Sequence, residues 1–216
     1  MATLITLNRS IVVNMEIQLL NYTVDGERLI EHAGRVCYGF GKKCYKPAST
    51  HDAGWFIRSL IKRGHESVVE HAVATFKFSG ISRACSHQIV SHRLASYSQE
   101  SQRYVSHYGW EPVEPPFPSD EARNTFLAAI KYAKIAYREL MKMGMRKEDA
   151  RFVLPNATPT CIVMTANLRE WRHFIKMRCD KAAQWEIRDV ALQVLERLYN
   201  TYSNVFVDLY EEFCSA

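Results

Sequence analysis

Apolar residues recur along this 216-residue chain with two different periods, and the changes between them mark the predicted elements. Leu29, Ile30, Ala33 and Val36 fall on one helical face over Glu27–Val36, and Ala53–Ile61 repeats the pattern with Phe56, Ile57, Leu60 and Ile61. Between them, the basic, Gly-bearing stretch Gly39–Pro47 reads as a solvated connection. His71–Phe78 alternates instead, with Ala74, Phe76 and Phe78 opposite Val73, Thr75 and Lys77, as a half-buried strand does; Gly80 is expected to end it. Helical spacing returns over Ile81–His92 and gives way to a polar loop, Ser96–Arg103.

Four of the seven prolines crowd into Trp110–Ser119, which predicts an extended connection between two halves. Ser119 is placed to cap a long helix reaching about Met143, with Gly144 as its stop. A short helix over Lys147–Val153 stops before Pro155. Thr160–Thr165 is β-prone and Leu168–Met177 helical. Ala182–Tyr199 is a longer helix with Ile187, Ala191, Val194, Leu195 and Leu198 on its inner face.

Composition narrows the class. With 47% apolar and 24% charged residues the chain is globular rather than disordered, and no apolar run approaches the roughly 20 residues of a membrane helix. A chain of this length buries roughly 70% of its unfolded surface and needs no covalent staple, so residues 1–216 are read as one domain. The six cysteines include no C-x-x-C pair and no secretory leader precedes them. Reduced thiols in a cytoplasmic compartment are expected, with Cys85 and Cys161 as small core residues. The net charge of +5 lies wholly in the first half: residues 1–110 hold 13 basic and 8 acidic side chains, residues 111–216 hold 15 of each. So small a surplus suits a site for a few phosphates better than a nucleic-acid track.

The densest functional chemistry is Gln88-Ile89-Val90-Ser91-His92-Arg93, followed after seven residues by Ser101 and then Arg103. Guanidinium forks match phosphate geometry while amides and hydroxyls set orientation. Cations at a helix end would by themselves answer only to the helix dipole. Adding Gln88, Ser101 and Arg103 favours a ligand site.

This segment resembles the signature of the flavin-dependent thymidylate synthases, the ThyX family: Arg-His-Arg, seven residues, Ser. Further blocks follow in the family's order over roughly residues 64–190. They are Gly64-His65-Glu66-Ser67 with Glu70-His71, Arg151 with Leu154-Pro155, Asn167-Leu168-Arg169, and Arg178-x-Asp180-x-x-Ala183-Gln184-Trp185-Glu186. One departure stands out: Ser91 occupies the first Arg position of the triplet. In the family that guanidinium lies between flavin and nucleotide. Losing one such charge-assisted bond costs on the order of 1.5–3 kcal/mol, about tenfold to a hundredfold in affinity or rate.

The resemblance implies an α+β fold, with a central mixed or antiparallel sheet flanked by helices and a helical lobe, assembled as a homotetramer with active sites at subunit interfaces. It implies methylation of dUMP to dTMP, with methylenetetrahydrofolate as carbon donor and FAD reduced by NADPH. Carried onto this chain, dUMP falls to Gln88, Ser91, Gln99, Glu100, Ser101, Gln102, Arg103, Arg151 and Arg178, with the backbone of residues 99–102 helping. FAD falls to His65, Ser67, Glu70, Ser91, His92, Arg93, Gln99, Asn167, Arg169 and His173. Arg178 is the catalytic candidate, a permanent cation set against the uracil ring. Ser101 is assigned to orientation, because no His–carboxylate relay is evident to activate it.

Some of these residues have plainer uses: Asn167 can cap the following helix, and Glu70 can pair a neighbouring Arg. No metal site is expected, since His65, His71, His87 and His92 lack zinc-ligand spacing. No Gly-x-Gly-x-x-Gly follows a strand, so a Rossmann flavin site is not expected. The alternatives are a flavin- or nucleotide-binding homologue without turnover, given Ser91, and a nucleic-acid module stacking bases on Tyr97, Tyr104 and Tyr108. The neutral second half argues against the latter, and neither nucleic acid nor membrane is expected as a partner.

Overall fold

The computed structural model describes residues 15–37 and 50–214. Its strands are β1 (Glu16–Tyr22), β2 (Val73–Ser82), β3 (Ala95–Gln99) and β4 (Pro159–Asn167), in one sheet of order β1-β2-β4-β3. Its helices are α1 (Gly26–Val36), α2 (Thr50–Lys62), α3 (Arg83–Ile89), α4 (Asp120–Lys142), α5 (Lys147–Ala150), α6 (Leu168–Arg178), α7 (Trp185–Thr201) and α8 (Ser203–Cys214), with 3-10 turns at Glu66–His71 and Arg151–Val153. This is a mixed α+β architecture. The β2–β4 pairing is antiparallel: Thr75 Oγ1 lies 2.9 Å from Thr165 Oγ1, and four residues on, Ser79 Oγ lies 3.5 Å from Cys161 Sγ, four residues back.

The described residues fall into two compact units. The first takes Phe78–Gln88 and Ser98–Ile162. Ser119 caps α4 as expected, its hydroxyl accepting from Ala122 N–H, and Gly144 leaves the helix at φ 86°. The proline-rich connection packs on α4 through Trp110, whose ring lies under Lys134 Nζ at 4.8 Å, and through Phe117, 5.2 Å from Phe126.

The second unit takes Ile17–Lys77, Ile89–Tyr97 and the residues from Val163 onward. Its core is Trp171, Phe174 and Ile175 of α6, Ile187 to Leu198 on one face of α7, and Val205, Phe206 and Leu209 of α8. Trp171 Nε1 donates to Ala74 O at 3.0 Å and Leu168 N to Ala72 O at 2.9 Å, which ties the start of α6 to β2. The fully buried Arg172 guanidinium forks onto Asp208 at 2.8 and 2.6 Å, donates to Val205 O, and reaches Glu66 Oε1 at 3.4 Å. This pairing holds the Asp208 carboxyl below its ordinary range against the opposing effect of burial. One side chain therefore braces α6 against α8 and the Glu66–His71 turn.

Several boundaries differ from the sequence pattern. Gly80 does not end β2: it passes at φ 72°, and burial slips by one position, from Ala74, Phe76 and Phe78 to Ile81. The helix predicted over Ile81–His92 is confined to α3, with Ile81 and Ser82 still in the strand. The stretch read as a polar loop contains β3, whose Ala95, Tyr97 and Gln99 are half-buried between exposed serines. A polar strand lacks the apolar alternation on which strand prediction depends. Cys161 is half-buried rather than in the core, and Gly39–Pro47 lies outside the described residues.

Asp208→Ala leaves the Arg172 charge short of its main partner. Urea unfolding of the variant is expected to show a loss on the order of 2–3 kcal/mol.

Candidate active site

The chain turns sharply after α3, and Tyr97 pins that turn by donating its hydroxyl to the carbonyls of Ile89 (3.0 Å) and His92. The turn presents Ser91, His92 and Arg93. Opposite it runs α6, whose first turn is capped by Asn167 Oδ1 accepting from Glu170 N–H at 2.9 Å. Asn167 thus serves the helix, and Glu70 pairs Arg169, the two plainer uses allowed for above.

Arg178, the last residue of α6, donates Nε–H to His92 Nε2 and Nη2–H to Ser91 Oγ, both at 3.0 Å. His92 is 4% exposed, and its other nitrogen, Nδ1, lies 3.4 Å from Glu170 Oε1. Burial, then the Arg178 charge, then His173 push the His92 pKa down to about 4. The ring is therefore neutral at pH 7 and holds a single proton. Because Nε2 accepts, that proton sits on Nδ1, facing Glu170, whose carboxyl burial raises. Burial and the Glu170 charge also lift the Tyr97 hydroxyl to about 12.

His92, Glu170 and His173 bring ligand-type atoms within 4.8 Å of one another. With its proton on Nδ1 and its Nε2 lone pair given to Arg178, His92 has no lone pair to offer a cation. The ring of His173 lies edge-on to that of His92, with 5.7 Å between centroids.

A cavity of about 940 Å³ opens beside this cluster, within the second unit. Seven of the ten positions assigned to flavin line it: Glu70, Ser91, His92 and Arg93, then Asn167, Arg169 and His173. His65 and Ser67 belong to the same unit but not to the lining, and Gln99 belongs to the other unit. Gln99 Nε2 donates to Ser86 Oγ at 2.8 Å and Thr160 Oγ1 at 3.3 Å. Sequence reasoning missed Glu66, Glu170 and Lys176, which also line the cavity. The three-residue step from Glu170 to His173 was the available signal for Glu170.

The first unit holds the nucleotide positions other than Ser91 and Arg178. Ser101 Oγ accepts from Arg103 N–H at 3.2 Å, a turn bond, and Glu100 N–H is committed to Cys161 O at 2.9 Å. Gln102 is half-buried, as is Gln88 on α3. Arg103 Nε donates to Glu148 Oε2 at 2.9 Å and Arg151 Nε to Glu148 O at 3.0 Å, so α5 gathers both cations. Arg83 joins them: burial, then the Arg151 charge, lower its pKa, and Glu100 opposes. Arg83 was overlooked, although a cation at the first position of α3 runs against the helix dipole and is for that reason informative.

Two groups of cations stand here with hydroxyl, amide and imidazole neighbours, the donor chemistry that suits anionic, ring-bearing ligands. Comparison with known proteins narrows the class. The family model described as thymidylate synthase complementing protein matches residues 18–202. A flavin-dependent thymidylate synthase of Geobacter sulfurreducens is 43% identical over 200 residues, spanning 90% of this chain and 86% of the relative. Proteins of the same name from Mycobacterium marinum and Mycolicibacterium vanbaalenii are 42% and 40% identical, each spanning 85% of this chain and 79% of the relative. The chain belongs to the thymidylate synthase complementing protein family, whose members include the flavin-dependent thymidylate synthases.

The His92 environment has a measurable consequence. With a folded pKa of about 4 against about 6.5 when unfolded, the unfolded chain takes up a proton that the folded chain refuses. The stability held above about pH 6.5 is lost as pH falls toward 4, by at most roughly 3 kcal/mol. Denaturation at pH 7 and pH 5 is expected to show this loss, and His92→Gln to reduce it.

Proposed function

We propose that this protein methylates dUMP to dTMP, taking the carbon from methylenetetrahydrofolate and reducing power from NADPH through bound FAD. The observation that supports this reading is the convergence on one cavity of seven flavin positions carried over from the resemblance. The donor set fits the cofactor: Arg93, Arg169 and Lys176 suit a diphosphate, Glu66 and Glu70 suit ribose hydroxyls, and Asn167 and His173 suit ring edges. When bound there, the flavin supplies the reducing equivalents that turn the transferred carbon into a methyl group.

The protein's own residues bind and polarise. Arg103 and Arg151, with Arg83 added, take the nucleotide phosphate, and Gln88, Gln99 and Ser101 orient the sugar and base. Arg178 stabilises negative charge developing on the pyrimidine, which makes C5 nucleophilic without any proton leaving the guanidinium. His92, being neutral, orients that cation without competing with it for the anionic ring.

A homotetramer with sites completed by neighbouring copies accompanies this reading. Tyr104 and Phe152, next in sequence to Arg103 and Arg151, are 76% and 83% exposed, as interface residues of a lone chain would be. Among the described residues, no helix is long and apolar enough to cross a membrane. A cytoplasmic location is part of the same proposal.

The purified protein is expected to bind FAD and turn yellow, and dUMP with the folate is expected to speed NADPH oxidation. Arg178→Ala should lower kcat by about a hundredfold or more. Colourless protein that binds neither FAD nor dUMP overturns the reading. The serine at 91 gives a separate expectation: Ser91→Arg should tighten flavin or nucleotide binding by about tenfold to a hundredfold in a fluorescence titration.

A further inference from the structure

Glu170 was not among the positions carried over from the resemblance, yet it is 5% exposed and faces the cluster that holds Arg178. Its backbone is fixed by the Asn167 cap, and it stands eight residues before Arg178 on the same helix. Between them, from the turn after α3, comes the His92 ring.

A neutral imidazole has one proton for two nitrogens, and what each nitrogen faces decides where it sits. A carboxylate oxygen 3.4 Å from Nδ1 attracts a proton there and would repel a bare lone pair. The opposite tautomer would turn an N–H of His92 toward the Arg178 Nε–H, now 3.0 Å from that nitrogen, and the guanidinium would have to leave. We propose that Glu170 is a positioning residue for Arg178: it holds the His92 proton on Nδ1, so that Nε2 accepts from the guanidinium while Ser91 Oγ takes its second arm. The proposal rests on the assignment of Arg178 to the pyrimidine ring.

Ser91 belongs to the same arrangement. Its hydroxyl is an acceptor for the Nη2–H of Arg178, a bond an arginine side chain could not supply. Glu170 acts through His92, so its loss should change the rate more than nucleotide binding. Displacing a polarising group by about 1 Å costs up to a hundredfold in rate.

Protein labelled with 15N-histidine, with His92 assigned by the loss of its signals in His92→Gln, reports the tautomer directly. The parent protein should show Nδ1 protonated and Nε2 bare. Glu170→Leu should shift the ring toward the Nε2–H form, lower kcat by about tenfold to a hundredfold, and leave dUMP affinity within about threefold. Glu170→Gln, whose carbonyl oxygen can still accept from Nδ1–H, should recover most of both signals. Glu170→Ala serves the same purpose if the leucine variant does not fold. An Nε2–H tautomer in the parent protein, or a Glu170→Leu variant with unchanged tautomer and kcat, overturns the proposal. A parent protein with the Nδ1–H tautomer but no dUMP methylation overturns the functional reading alone.

Discussion

A buried imidazole beside a permanent cation resists a second proton at neutral pH, and the candidate site is organised around that constraint. His92 stays neutral because burial and the Arg178 charge both oppose protonation. Neutrality leaves it one donor and one acceptor. The acceptor goes to Arg178 and the donor faces Glu170, so the orientation of the guanidinium follows from where a single proton sits. Ser91 and Tyr97 complete the arrangement from the other side, one accepting from Arg178 and the other pinning the turn that carries the ring.

This cluster needs a rigid support, and α6 provides it. The helix begins at a capped Asn167, hooks to β2 through Leu168 and Trp171, and is braced by Arg172 against Asp208 and Glu66. Burying a guanidinium is costly unless it is fully paired, and its pairing here ties three elements together. Arg169, Glu170, His173 and Arg178 inherit that rigidity. A few charged residues thus hold the scaffold while others, a turn away, remain available to ligands.

Charge was only partly informative. The positive surplus of the first half does coincide with Arg83 and Arg103, yet Arg151, Arg169 and Arg178 come from the half with no net charge. Net charge sums over cations that pair with carboxylates and cations that do not. Arg103 shows the difficulty, since it is half of an ion pair with Glu148 and also a phosphate candidate.

By itself the sequence determined the long elements and the identity of most site residues. Helical periodicity gave α1 and α7, the Ser119 cap and the Gly144 stop gave α4, the Asn167 cap was legible as a residue type, and the spacing from Gln88 to Arg103 marked the site and its relatives. It did not determine β3, because a polar strand carries no apolar alternation, nor the slip of β2 at Gly80, because a positive φ is a backbone choice made against neighbouring strands. Only the tertiary structure decided that Glu170 faces His92, that Arg83 sits near Arg151, and that Arg178 reaches Ser91. These meetings join side chains as many as 87 residues apart, and which nitrogen of a ring carries its proton depends on those partners rather than on anything written beside it in the chain.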